Sequence, residues 1–289
     1  MATILLVVLL GLLACLASSL SRSAVLQPFA QGRALKVISG LDNFNVANVK
    51  NVAWAASQGG ASHVDIACDA GLVREVRSVC GNLPICVSSV KPADFVAAVE
   101  AGADMVEIGN FDSFYEKGRV FTAEDVVAMT VETRRLLPTI PLSVTIPHTL
   151  ALSEQVKLAK RLEEVGADII QTEGKMGVNP QSMGVQELIE KAAPTLASAF
   201  ALSRAVSIPV MCASGLTDVT CPLAIAAGAR GVGVGSMVNK LPQPQQMLMA
   251  VQVIAQSIGR EPSSSATSEP VMDVLSTVSS AVRSQQKTV

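Results

Sequence analysis

The polar residues best suited to chemistry in this chain lie inside apolar runs. Asp65 interrupts HVDIAC, Glu107 interrupts MVEIGN, Gln171 and Glu173 sit in IIQTEG, and Lys36 lies in LKVISG. A charged group among branched aliphatics is costly unless it is paired or used. Glu107 or Asp65 could act as the general base of a proton transfer, with Lys36 as electrostatic partner or, as an alternative, a Schiff-base amine. The competing reading is a polar plug in which the carboxylates bridge to Lys36 and to serines. His148, in TIPHTL, offers a base or a phosphate contact, with helix capping or solvation as its alternative. His63 reads as structural.

Two glycine-bearing stretches, ASG at 213–215 and GVGS at 233–236, add a second chemistry. Backbone N–H groups approach a phosphate closely only where no bulky side chain intervenes. Ser214, Gly215, Gly235 and Ser236 meet that need, so a phosphate cup is expected there; relief of crowding at a strand seam is the alternative. Such a cup suits a small phosphorylated metabolite, and it would equally hold the phosphate of FMN, which keeps an FMN-binding oxidoreductase as a second reading. A non-catalytic metabolite sensor is a third. No metal is expected, because six cysteines lack any C-x-x-C pair and the only histidines are His63 and His148.

These residues are positioned by a repeated phrase. AGADMVEIGN (101–110) returns in altered form as VGADIIQTEG (165–174), AGARGVGVGS (227–236) and GGASHVDIAC (59–68). Each copy has a small-residue pair ending a helical pattern, then an alternating apolar run of strand length, then Gly, Cys or Ser. Between the copies stand LKVISG (35–40), LPICVSS (83–89), IPLSVTI (140–146) and IPVMCAS (208–214), three of them led by proline. Helix-period segments at 44–57, 70–79, 93–101, 123–136, 153–165, 184–203, 217–227 and 243–258 separate the runs. Eight strand–helix units predict a (β/α)8 TIM barrel in one domain over 34–260, with a doubly wound open sheet as the alternative.

Alternation along the even strands turns Asp65, Glu107, Gln171 and Gly233 into the barrel at one level, with Ala67, Gly109, Glu173 and Gly235 one step higher. The carboxyl ends of the strands carry the chemistry of such barrels. Ser88, Asn110 and Lys175 are expected there as substrate contacts beside His148 and Glu173, and the loop at 174–184 is placed to close over a ligand.

The 289 residues carry a formal net charge of −2 and no charge run, which excludes nucleic acid as a natural partner. The uncharged run at 4–17 is shorter than the roughly 18 apolar residues of a membrane span and ends in small residues. It predicts a signal-peptide-like segment over 1–17. Residues 18–33, with Arg22, Arg33, serines and no acid, read as a transit-like segment. Together they predict import into a plastid and a mature start between Ala17 and Leu35, without stable membrane insertion; secretion is the alternative. Cysteines without evident partners fit a reducing compartment better. A flexible polar tail is expected over 261–289, and homo-oligomerisation is left open.

The phrases LKVISGLDNF, PICVSSV, AGADMVEIGNFDSFY, LSVTIPHTL, GADIIQTEG and PVMCASGLTDVTCPLAIAAGARGVGVGSMVNKL occur in this order. From about residue 34 to 258 the chain resembles the family called hypothetical chloroplast reading frame twenty-three, found in cyanobacteria and plastids. The resemblance implies an aldolase-type TIM barrel in a plastid and brings no reaction with it. The family reads EGG where this chain has Glu173, Gly174 and Lys175, so Lys175 alters that loop or its ligand. The leading expectation is an isomerase, lyase or synthase acting on a small phosphorylated metabolite.

Overall fold

The computed structural model describes residues 22–109, 111–115, 117–174 and 179–261. The signal-like segment 1–17, Asn110, Lys175 and the tail beyond 261 lie outside the described residues. A helix over 22–30 (α1) is followed by β1 (Ala34–Ile38), α2 (Val46–Gln58), β2 (His63–Ala67), α3 (Ala70–Cys80) and β3 (Ile85–Ser89). Next come α4 (Asp94–Glu100), β4 (Met105–Ile108), α5 (Asp112–Tyr115), α6 (Ala123–Leu136), β5 (Leu142–Thr145), α7 (Leu152–Glu164) and β6 (Ile169–Gln171). The last units are α8 (Val185–Leu202), β7 (Val210–Ala213), α9 (Cys221–Ala226), β8 (Gly231–Val234), α10 (Ser236–Asn239) and α11 (Pro244–Ser257). All strand pairs are parallel, and β8 returns to β1, so the sheet closes into the expected eight-stranded barrel.

The repeated phrase is a helix stop. Gly60, Gly102, Gly166 and Gly228 adopt φ of 89°, 108°, 99° and 112°, a region that side chains with a Cβ avoid. The alanine after each glycine is buried and donates its N–H five residues back: Ala61 to Ala56, Ala103 to Ala98, Ala167 to Leu162 and Ala229 to Ala224, at 2.9–3.1 Å. This is the Schellman arrangement, which satisfies an orphan carbonyl and turns the chain into the next strand. The prolines of the odd runs stand one residue ahead of β3, β5 and β7. Pro84, Pro141 and Pro209 accept from Val64, Val106 and Ile170 at 3.0 Å, a place where only an acceptor is needed.

Outward strand residues such as Val64, Ile66, Val106, Ile108 and Val232 pack beneath the helices in one continuous core. Inside the barrel the lowest layer is apolar, formed by Ala34, Cys86, Met105, Ile169 and Met211, and α1 closes it with Val25 and Phe29. The transit-like segment thus contains the floor of the barrel, and a cut within 22–30 would remove it. Arg22 pairs with Asp168 and donates to the Thr139 carbonyl at 2.8 Å. No described helix is long and apolar enough to cross a membrane. Cys68, Cys80, Cys86, Cys212 and Cys221 are free thiols.

His63 holds the floor in place. Its Nε2 lies 2.9 Å from the Val25 carbonyl and its Nδ1 lies 2.8 Å from Ser62 Oγ, with the Phe29 ring 5.2 Å away. Burial lowers its pKa to about 3 from 6.5. The folded-state value is depressed, so this contribution to stability is complete above pH 6.5 and is lost as pH falls toward 3, by up to about 1.4 kcal/mol per pH unit. Between pH 7 and 4.5 the wild-type protein should therefore lose about 2–3 kcal/mol more than His63→Gln in urea titrations. Equal losses would show that the ring is not held neutral.

Candidate active site

Four of the inward residues named from the sequence meet in one sealed layer above the floor. Lys36 and Glu107 form an ion pair in which neither side chain is exposed (0% each). Gln171 Nε2 donates to Glu107 Oε1 at 2.7 Å and to Thr145 Oγ1 at 3.1 Å, while Ser88 Oγ donates to Asp65 Oδ1 at 2.6 Å. Burial works against the charge of Lys36, but the carboxylates of Glu107 and Asp65 outweigh it and leave the pKa above the ordinary lysine value. A lysine held in that form has no lone pair, which argues against the Schiff-base alternative. Burial pushes Asp65 up to about 6, against the opposing pull of Lys36. Gly233 gives this layer room, since a Cβ there would lie 2.9 Å from that of Ala213.

A second group forms at the carboxyl ends of β4, β5 and β6. Glu173, only 5% exposed, accepts from the Asp112 N–H at 3.0 Å, the Tyr115 hydroxyl at 2.7 Å and the His148 N–H at 3.3 Å. His148 Nδ1 lies 3.1 Å from Glu173 Oε2 and 3.7 Å from Asp112 Oδ1. The Tyr115 ring meets His148 edge-on at 4.8 Å. Burial, reinforced by Glu173, raises the Tyr115 phenol far above its usual range, so it stays a donor. His148 and Glu173 were expected at this rim; Asp112 and Tyr115 were not.

Two packing features bring them in. Phe111 and Phe121 are buried with ring centroids 4.5 Å apart, and they pin the loop that carries α5. Gly109 lets β4 approach β5, because a Cβ there would lie 2.0 Å from Thr145 Oγ1.

Across the rim lie the glycine-bearing turns of β7 and β8. Ser214 has φ 79°, the one positive φ among described residues other than glycine, and Gly215 follows at 69°. Such strain in a non-glycine residue persists only where its surroundings hold it. Gly174 leaves space for it, since a Cβ there would lie 2.8 Å from Ser214 Oγ. Gly235 caps α10, which starts at Ser236, and Asn239 Nδ2 ties this short helix to the Ile38 and Ser39 carbonyls at 2.9 and 3.1 Å. Asn43 continues the chain of amides, donating to Ser39 Oγ at 2.9 Å and to Asn48 Oδ1 at 2.8 Å. Gly215 and Ser236 are exposed, and Ser214 and Gly235 half-buried.

The closed parallel barrel, polar at its carboxyl-end rim and apolar at its plugged floor, is an aldolase-type TIM barrel. The chain belongs to the family described as protein of unknown function DUF561, whose model matches residues 20–264. It is 46% identical over 228 residues to the uncharacterized protein ycf23 of Cyanophora paradoxa, covering 79% of this chain and 93% of that one. The ycf23 protein of Porphyra purpurea is 39% identical over 236 residues, covering 82% and 89%. Among solved structures, 3-hexulose-6-phosphate synthase superposes with a TM-score of 0.56 at 14% identity, over 78% of this chain and 100% of that one. The (S)-3-O-geranylgeranylglyceryl phosphate synthase of Thermoplasma acidophilum, in complex with sn-glycerol-1-phosphate, gives 0.54 at 14%, over 81% and 96%. Thiamine phosphate pyrophosphorylase of Pyrococcus furiosus gives 0.51 at 15%, over 79% and 96%. Likeness at these identities is likeness of fold.

Proposed function

We propose that this protein is an enzyme of lyase or synthase type acting on a small phosphorylated metabolite. The phosphate would sit against Ser214, Gly215, Gly235 and Ser236, and the reacting end beside His148 and Glu173. The observation that carries this reading is the split of the rim into two poles. One is an open pair of turns with small side chains; the other is a compact set of a carboxylate, an imidazole and a phenol converging from three strand ends. A substrate anchored at the first would present its reacting atoms to the second, where charge or a proton can be handled away from bulk water. The three solved enzymes above share the barrel, and the name of each includes a phosphate ester. In this reading Lys36 and Glu107 support the floor of the site from below. Plastid location is part of the proposal, and rests on the family's resemblance and on the leader composition.

The test is binding of inorganic phosphate and sn-glycerol-1-phosphate, followed by calorimetry and thermal shift. Gly235 has φ −112°, and a Cβ there would meet its neighbours only at 3.7–3.9 Å, so Gly235→Asp should fold. The new carboxylate should weaken phosphate binding a hundredfold or more, because like charges ~4 Å apart repel by about 4 kcal/mol at an effective dielectric near 20. If Gly235→Asp is stabilised by phosphate as wild type is, the cup is elsewhere.

A further inference from the structure

The geometry points to a divalent-cation site formed by Asp112, His148 and Glu173. Each residue comes from a different strand end, and one donor atom from each lies within 4.8 Å of the other two. An ion with bonds of about 2.0–2.2 Å holds adjacent ligands roughly 3 Å apart. His148 Nδ1 and Glu173 Oε2 already stand at 3.1 Å, and Asp112 Oδ1 lies 3.7 Å from the same Nδ1.

Charge supports the same site. Glu173 is a buried carboxylate, and among the described residues the only basic side chain paired with it is His148. A carboxylate removed from water calls for a counter-charge. The surroundings resemble the outer shell that orients metal ligands: Tyr115 donates to Oε2, the Asp112 N–H donates to Oε1, and the Tyr115 ring braces the imidazole from its side. A cation would take Nδ1 in the tautomer that carries its proton on Nε2.

One nitrogen and two oxygen donors suit a first-row ion such as Mn2+ or Zn2+, and three protein ligands leave positions open for a substrate oxygen. This inference rests on the proposed function, in which the reacting end of the substrate lies at this pole. There the cation would polarise a carbonyl or hold the oxyanion that forms as a proton leaves the neighbouring carbon.

The experiment is titration of chelator-treated full-length protein with MnCl2 and with ZnCl2, read by calorimetry and, for Mn2+, by electron paramagnetic resonance. One ion per chain is expected. Asp112→Asn, nearly isosteric and half-exposed, should weaken uptake at least tenfold, and His148→Ala should abolish it; Tyr115→Phe, which removes only an orienting bond, should weaken it about tenfold. Circular dichroism confirms that each variant is folded. Gly235→Asp should bind the cation as wild type does while losing phosphate. Folded wild type that binds phosphate but takes up neither ion overturns the cation site and leaves the phosphate reading standing. In that case Nδ1–H simply donates to Glu173. Uptake that is unchanged in both Asp112→Asn and His148→Ala also overturns it. Cation uptake without phosphate binding in wild type would instead reject the phosphate cup.

Discussion

Glu107→Gln and Lys36→Met should each lower the stability of the barrel by about 3–5 kcal/mol, because each leaves one buried charge without its partner. For a chain of this size that corresponds to a drop in melting temperature of about 6–20 °C. Lys36→Met should be the harsher of the two, since it removes the cation that faces both Glu107 and Asp65. Joint replacement by Lys36→Met and Glu107→Leu should recover much of the loss, since well-packed apolar groups often replace a buried ion pair at little cost. Urea denaturation of wild type, Lys36→Met, Glu107→Leu and the joint variant closes a double-mutant cycle. The reading of Glu107 as a structural partner would not survive one result: Glu107→Gln melting like wild type while turnover falls a hundredfold. That pattern would make it the proton acceptor.

Gly109→Ala carries the second large effect. The added methyl would stand 2.0 Å from Thr145 Oγ1 and 2.4 Å from Thr145 Cβ. The strands cannot separate easily, since Glu107 and Ile108 are in register with Ser143 and Val144 immediately below. Overpacking of this kind typically costs about 1–3 kcal/mol, and the value here should reach the top of that range or pass it. Thr145→Gly in the same chain would remove both clashing atoms and should restore part of the loss. Rim chemistry should fail as well, because β4 leads directly into Asp112. Wild-type melting together with wild-type ligand binding in Gly109→Ala would show that the strand ends are looser than this packing implies.

Much of this architecture could be read from residue patterns. The four Gly-Ala corners repeat because each helix must end in the same way, and period-two alternation then fixes the inward side chains, as Asp65, Glu107 and Gln171 show. Two elements escaped. α1 has Arg22, Ser23 and Pro28 within it and Arg33 just beyond, so its composition resembles a targeting segment while its burial depends on Val25 and Phe29, a spacing of four in too short a run to stand out. α5 has four residues, fewer than two helical turns, and no periodicity can reveal it. Asp112 and Tyr115 were overlooked for that reason, although NFDSFY, polar and aromatic directly after a strand, was the available signal. The expectation of no metal rests on counting histidines and cysteines, whereas the proposed cation site would draw two of its three donors from carboxylates on separate loops, a meeting that sequence spacing does not register. Lys36 was recognised as a possible partner for Glu107, but their shared inaccessibility depends on closure of the whole barrel.

The floor of the barrel bears on the order in which the chain can fold. Residues 22–30 are translated before any strand, yet Arg22 must find Asp168 and the Thr139 carbonyl, separated from it by 146 and 117 positions. At the other end of the helix, the Ala30 carbonyl receives Arg230, 200 positions later. Contacts of such long range form slowly and depend on prior closure of the intervening loops. The helix must therefore wait, with Phe29 uncovered, until most of the barrel has been made. During synthesis, this nine-residue stretch is an exposed apolar segment of the kind that chaperones bind.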